Sequence, residues 1–457
     1  MKSWNRIRWQ ALIAMGLLVA LLLTLAACTS PASETAEEEQ QEGSTAETAP
    51  EMEEQTTVEP AASEGEQTLT VWGFVWTADW LDAIKTGFEE AHPGVTVNVE
   101  RFEYDPYQDM VLTTLASGEG VPDVVTLDPM WAGDLIRGDA LQPLENATTD
   151  LNVDDFVPGG WNLYAWQGVQ YGIPLDLDFN LLFYRKDVYE PAMQTLGMTE
   201  IPDNTEEFLQ LANQVTEDTG KPAVIIYQGD YYAWYQSFLA PMGGDLINDD
   251  GTAYVYNSPE AVDALQLYSD VVNEEQVGRL WDYEADGDPL TDLKNGEVMG
   301  VMHGSWFATE IASGAPEMAG QWGIAPNPWG APDREFHSAT GGACLSIPSQ
   351  AQNPDLAWEF IVYSMTPENQ AEYFRIVSGV PSLKTSWDDP AFDEANPYFD
   401  MALGSSVADW SLGTKPMDLP SLEVADLIGD AIIMATTGQA SAQDALDQAV
   451  EMAPPLE

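Results

Sequence analysis

Cysteine is almost absent from this 457-residue chain, which has only Cys28 and Cys344. Two thiols cannot build a disulfide framework or a four-cysteine zinc site. Basic residues are scarce as well, 15 against 76 acidic ones, for a formal charge of −61. Such a chain repels phosphate backbones at every range, which argues against any nucleic-acid partner. The three histidines, His92, His303 and His337, are too widely spaced for a multi-histidine metal motif. Also missing are a phosphate-binding glycine-rich loop, a His-Glu-x-x-His pair and a Gly-x-Ser-x-Gly elbow. What the chain does have is 45% hydrophobic and 10% aromatic residues, far too much for a disordered protein.

The first thirty residues set the expected compartment. Lys2, Arg6 and Arg8 precede an apolar stretch from Ala11 to Leu25, broken only by Gly16 and Thr24. About 15 residues suit the core of a signal peptide and fall short of the roughly 20 that span a bilayer, an uncleaved anchor being the competing reading. The stretch ends in Leu25-Ala26-Ala27-Cys28, which resembles the bacterial lipobox. The resemblance implies a lipoprotein signal peptide over 1–27, cleavage before Cys28, and acylation of Cys28 with chains such as palmitate. Several acyl chains anchor stably where one does not. The expected location is thus extracytoplasmic, tethered to the outer face of the cell membrane, or in the periplasm if there are two membranes. Residues 28–66 read as a disordered acidic tether: Thr29 to Gly65 mix glutamate with Ser, Thr, Ala and Pro, without a basic or aromatic residue. Cys344, between Ala343 and Leu345, reads as a buried, inert thiol.

The remaining chain exceeds the roughly 250–300 residues that one core serves, so two lobes are expected. Its local pattern is α/β. Leu69 to Trp72 alternates as a strand, Trp80, Leu81, Ile84 and Phe88 recur at helical spacing, and Val95, Val97 and Val99 alternate after Pro93-Gly94. Helix starts are marked at Asn204 with Glu207, Ser258-Pro259, Asn353-Pro354, and Ser441 with Asp444. Strands alternating with helices predict parallel sheets covered on both faces.

Catalytic signals are thin. Asp282 to Asp288 begins like a calcium loop, but Leu293 stands where the bidentate glutamate belongs, so a surface acidic turn is expected. Asp176 and Asp178 lie on one side of an extended segment, suited to hydrogen bonding a polar ligand more than to acid/base work. No catalytic residue, metal or cofactor is assigned. Aromatics are the informative excess. Trp76, Trp131, Trp234 and Trp306 stand beside Asp79, Asp128, Asp230 and Gly304-Ser305 rather than in apolar stripes. A sugar offers apolar C–H faces that such rings cover and hydroxyls that Asp and backbone amides saturate.

Residues 67–457 resemble the large family of bacterial extracellular solute-binding proteins that includes the maltose-binding protein. Four stretches carry the likeness: Phe88 to Gly94 with the following valines; Leu115 to Gly118 through Pro122-Asp123 to Trp131; Tyr171 to Asp176 through Phe183 to Asp187; and Gly296 to Trp306 with Ala325-Pro326 and Gly341-Gly342. Val380-Pro381 adds to it, while Arg185 stands where the family more often has Asn. The resemblance implies an α/β two-lobed periplasmic-binding-protein fold (type II), with discontinuous lobes joined by hinge strands. An N-terminal lobe is expected over 67–175 and 344–384, and a C-terminal lobe over 176–343 and 385–457. It also implies a monomeric, non-enzymatic carrier that closes on a carbohydrate and hands it to the membrane permease subunits of an ABC transporter. The implied ligand-binding residues are Trp76, Tyr104, Asp128, Trp131, Asp176, Asp178, Trp234, Trp306, Gly341, Gly342 and Trp410. The adjacent Tyr231-Tyr232 keeps ferric iron open, the acidic charge a polyamine, and the anchor with its aromatics a lipid-anchored glycosidase or a chemosensory module.

Overall fold

The alternating stretch at Leu69–Trp72 forms the middle of β1 (Gln67–Phe74) in the computed structural model, which describes residues 67–456. The apolar leader, Cys28 and the acidic tether lie outside the described residues. Strand β1 runs straight into α1 (Val75–Ala91), which buries Trp80, Leu81, Ile84 and Phe88, and Pro93-Gly94 turns the chain into β2 (Val95–Phe102). This first signature is structural. Glu89 Oε1 accepts the Val97 N–H at 2.8 Å, and Gly94 turns with φ of 97°, a left-handed conformation that glycine adopts freely. Next come α2 (Tyr104–Ser117), β3 (Val124–Leu127), α3 (Pro129–Arg137) and β4 (Gly172–Pro174). The chain then leaves for a second sheet built from β5 (Asn180–Arg185), β6 (Val224–Tyr227), β7 (Gly278–Trp281), β8 (Gly300–Gly304) and β9 (Trp322–Pro326), and it returns as β10 (Cys344–Ser346).

Each sheet has five strands, ordered β2-β1-β3-β10-β4 and β7-β6-β8-β5-β9. Parallel sheets were the expectation, but both sheets are mixed. β10 runs antiparallel to β3 and β4, and β5 antiparallel to β8 and β9. The physical reason lies in the route. Each reversed strand reaches its sheet from the other lobe, so no helical crossover forces it parallel. Short strands mark the passages: Asp176–Leu177 pairs with Val380–Pro381, and Ser338–Thr340 with Thr414–Pro416. Central strands β3 and β6 are buried on both faces, and each large aliphatic so placed is worth about 1.5–3 kcal/mol.

Helices α4 (Thr205–Thr219), α5 (Pro259–Asn273), α6 (Pro354–Ser364) and α8 (Ala442–Met452) begin where the sequence marks them, and α7 (Leu422–Thr436) begins at a start that the sequence reading did not mark. Asn204, Ser258 and Ser441 accept the N–H groups of Glu207, Ala261 and Asp444 at 3.0, 3.3 and 3.1 Å, as caps should. Asn353 is diverted: its amide donates to buried Asp123, whose carboxylate also accepts the backbone N–H groups of Thr70, Gln352 and Asn353 and so ties β1 to the start of α6. In the acidic turn, Asp286 accepts the Asp282 N–H and pairs with Arg279. Among the described residues no helix is long and apolar enough to cross a membrane.

Candidate functional site

Asp128 ends β3 and caps α3. Its Oδ1 accepts the Met130 N–H at 2.9 Å, and the next residue, Pro129, has no N–H to satisfy. The other oxygen accepts the Tyr104 hydroxyl at 3.0 Å. Tyr104 opens α2, and its ring stacks on Trp76 at 5.5 Å and 19°, with Trp131 tilted against it at 5.5 Å. Trp76 sits in the first turn of α1, because the strand passes into the helix without an intervening loop. It remains 40% exposed, a ring face held out by the Tyr104 ring beneath it.

The second sheet supplies the opposing groups. Asp178 stands just before β5, and its backbone exchanges hydrogen bonds with Gly341. Its Oδ1 accepts the Ser305 N–H at 2.9 Å and the Ser305 hydroxyl at 3.3 Å, while among the described residues Oδ2 takes no hydrogen bond. Trp306 follows β8 and is 46% exposed. Its indole stands edge-on to His303 at 4.6 Å, and His303 stacks flat on Phe307 at 4.3 Å. Burial drives the His303 pKa down to about 3, so this supporting ring is neutral. Asp230 caps the short helix Tyr231–Trp234, accepting the Ala233 N–H at 3.0 Å, and so presents Tyr231 and Tyr232 side by side.

Asp128 and Asp178, from segments of different sheets, lie near enough for one charge to act on the other. Burial raises Asp178 to about 7, with the charges of Asp176 and Asp128 adding to it, and raises Asp128 to about 6, with Asp176 adding. Tyr104 feels Asp128 and Asp178, and Tyr231 feels Asp128; burial first and these charges second hold both phenols well above their ordinary range, as protonated donors. Three buried polar atoms here or close by lack any partner: Trp131 Nε1, the Tyr231 hydroxyl and Gln236 Oε1. Exposed ring faces beside acceptors and unpartnered groups suit a ligand with apolar faces and several polar hydrogens.

Several expected residues have other work. Trp131 is 1% exposed and packs behind Tyr104, so its ring face is not open to a ligand. Trp234 is fully buried among core residues, because its position on the short helix points it inward while Tyr232 stays partly exposed. Asp176 is raised to about 6 by burial, but its oxygens accept the Ala343 N–H and the Tyr373 hydroxyl, each at 2.6 Å, which makes it a hinge brace. The Gly341 N–H, expected to serve a ligand, is taken by the Asp178 carbonyl at 2.6 Å. What Gly341 provides is room, since a Cβ there would run into the Tyr232 hydroxyl. Gly342, at φ of 113°, passes against the Asp176 carbonyl where no Cβ fits. Trp410 is half-buried against the second lobe's core, and its carbonyl meets His337 Nε2 at 2.6 Å. The sequence reading considered Tyr231 and Tyr232 only for ferric iron and did not single out Ser305, although all three stand near these carboxylates.

A cavity of about 480 Å³ lies elsewhere, beside Arg137, Trp166, Asp245, Asn248, Lys415 and Asp418. Tyr104, Asp128, Asp178 and Trp306 are not among the residues around it, and its two cations are engaged by Asp245 and by backbone carbonyls. The carboxylate–aromatic group is the better ligand site because it combines open ring faces with unpartnered polar atoms. Cys344 is fully buried, and burial pushes its thiol up to about 12.

Comparison with known proteins adds a lineage. The family described as bacterial extracellular solute-binding protein matches residues 75–371. An arabinooligosaccharide-binding protein of Halalkalibacterium halodurans is 25% identical over 348 residues, 74% of this chain and 76% of its own. A lactose-binding protein of Rhizobium radiobacter is 23% identical over 368 residues, 77% of this chain and 83% of its own. Among solved structures, the sugar-binding protein MalE of Xanthomonas citri superposes with a TM-score of 0.71 at 23% identity, over 84% of this chain and 96% of its own. The GacH receptor of Streptomyces glaucescens, solved unliganded and with acarbose, gives 0.69 at 22% identity, over 85% of this chain and 97% of its own. The fold is the two-lobed type II periplasmic-binding architecture.

Proposed function

We propose, from the premise that this chain belongs to the bacterial extracellular solute-binding protein family, that it is the carbohydrate carrier of an ABC transporter. Its cleft clasps a mono- or oligosaccharide between Trp76 and Tyr104 on one side and Trp306 on the other, with Asp128, Asp178, Tyr231 and Tyr232 taking the hydroxyls. What supports this reading is that Asp128, which accepts the hydroxyl of the Tyr104 ring stacked on exposed Trp76, lies near enough to act on Asp178, which accepts from Ser305 beside exposed Trp306. Relatives named for arabinooligosaccharide and lactose binding support the substrate class. We draw the lobes at 67–175 with 344–384 and at 176–343 with 385–457, each assembled around one sheet. The ligand favours the closed form only through its stronger contacts there, and that closed shape is what a permease recognises. The sugar is released unaltered. Lipid attachment at Cys28 holds the monomer at the membrane's outer face, within reach of the permease.

A thermal-shift screen over arabino-, malto- and galacto-oligosaccharides, spermidine and ferric ion tests the reading. A cognate sugar at a hundred times its Kd adds about 2.7 kcal/mol of stability and raises Tm. If sugars leave Tm unchanged while spermidine or iron raises it, the carbohydrate reading is wrong. Hydrolysis of a glycan by the purified protein defeats it equally.

A further inference from the structure

Among the described residues no lysine or arginine pairs with the carboxylates of the cleft, and the His303 ring that supports Trp306 is neutral. Asp128 lies near enough for its charge to act on Asp178, and Asp176 stands close enough to act on both. Their hydrogen-bond donors are neutral: Tyr104 and Met130 for Asp128, Ser305 for Asp178. Among the described residues the ion pairs of lysine and arginine all form elsewhere. Like charges facing one another away from water are costly unless a cation joins them. A second observation points to a guest. The Tyr231 hydroxyl, on a residue only 6% exposed, has no hydrogen-bond partner and lies near enough to Asp128 to feel its charge. Trp76, stacked on the ring whose hydroxyl reaches Asp128, and Trp306, next to the Ser305 that donates to Asp178, are both exposed, and indole faces attract cations through their ring quadrupoles.

We propose that the guest is an amino sugar, a saccharide whose protonated amine binds Asp128 and Asp178 while its ring faces lie on Trp76 and Trp306. An ammonium brings three donors and one positive charge, enough to serve both carboxylates and relieve their repulsion. This rests on the carbohydrate reading and narrows its substrate class.

The test is calorimetric titration of the purified protein with glucosamine disaccharide, its N-acetylated counterpart, a neutral disaccharide and spermidine, at a pH where the amine is protonated. The free amine is expected to bind at least about tenfold more tightly than the N-acetylated form. Asp178→Asn and Asp128→Asn, each checked for an intact melting transition, should each reduce that ratio several-fold. Equal or tighter binding of the N-acetylated or neutral sugar overturns the amino-sugar proposal and leaves the carbohydrate reading standing. An unchanged ratio in both variants overturns it too. Binding of nothing in the panel overturns the amino-sugar proposal alone, and binding of spermidine without any sugar overturns both.

Discussion

Replacing Trp306 with alanine removes a half-exposed indole that the proposed site uses as a platform. A tryptophan side chain presents roughly 150–250 Å². With 46% of Trp306 exposed, about 100 Å² remains for a guest to cover. At about 25 cal/mol per Å² that contact is worth about 2.5 kcal/mol, or about a 60-fold loss of affinity. The buried half rests on His303 and Phe307, so some folding stability goes as well, and the two effects need separate measurements. Titration calorimetry reads the affinity and a ligand-free melting curve reads the fold. Trp358→Ala serves as the control, since that indole donates to Asp150 on the first lobe, away from the cleft. A loss smaller than about threefold in a folded Trp306→Ala protein, or an equal loss in the control, would show that Trp306 is not a ligand platform.

Acidity provides a second check. Asp178 and Asp128 sit at about 7 and about 6, above the ordinary value near 3.9, so the folded chain holds protons that the unfolded chain has released. Their contribution to ligand-free stability is therefore full below about pH 4 and is lost as the pH rises toward about 7. Asp178→Asn should flatten the fall of Tm between about pH 5 and 7.5, and an unchanged slope contradicts the assigned environment. Gly341→Ala forces a Cβ onto the Tyr232 hydroxyl. It is expected to cost about 1–3 kcal/mol of stability and to weaken ligand binding by swinging that ring, whereas wild-type affinity would remove Tyr232 from the site. Finally, the Cys344 thiol should resist a thiol-specific dye in the native protein and react at once on unfolding; rapid native labelling would refute its burial.

Much of this protein is legible from residues a few positions apart. The α/β pattern, the caps at Asn204, Ser258 and Ser441, and the turn at Pro93-Gly94 follow from hydrogen bonds and apolar spacing inside one element, so reading along the chain finds them. Asp128, Asp178, Trp76 and Trp306 could be singled out because each ends or follows a strand beside small or acidic neighbours. The proximity of Asp128 and Asp178 could not, because they belong to segments of different sheets, 50 residues apart, that come near each other only in the folded chain. The same long-range geometry reversed β5 and β10, occupied Asp176 with Tyr373, and gave the Gly341 amide to Asp178. It also turned Trp234 into the core and left Tyr232 at the cleft, although both belong to one short helix. Local chemistry decides what each segment becomes. Which side chain is still free to meet a guest is decided by partners far away in sequence, which claim donors and acceptors only once the chain has closed on itself.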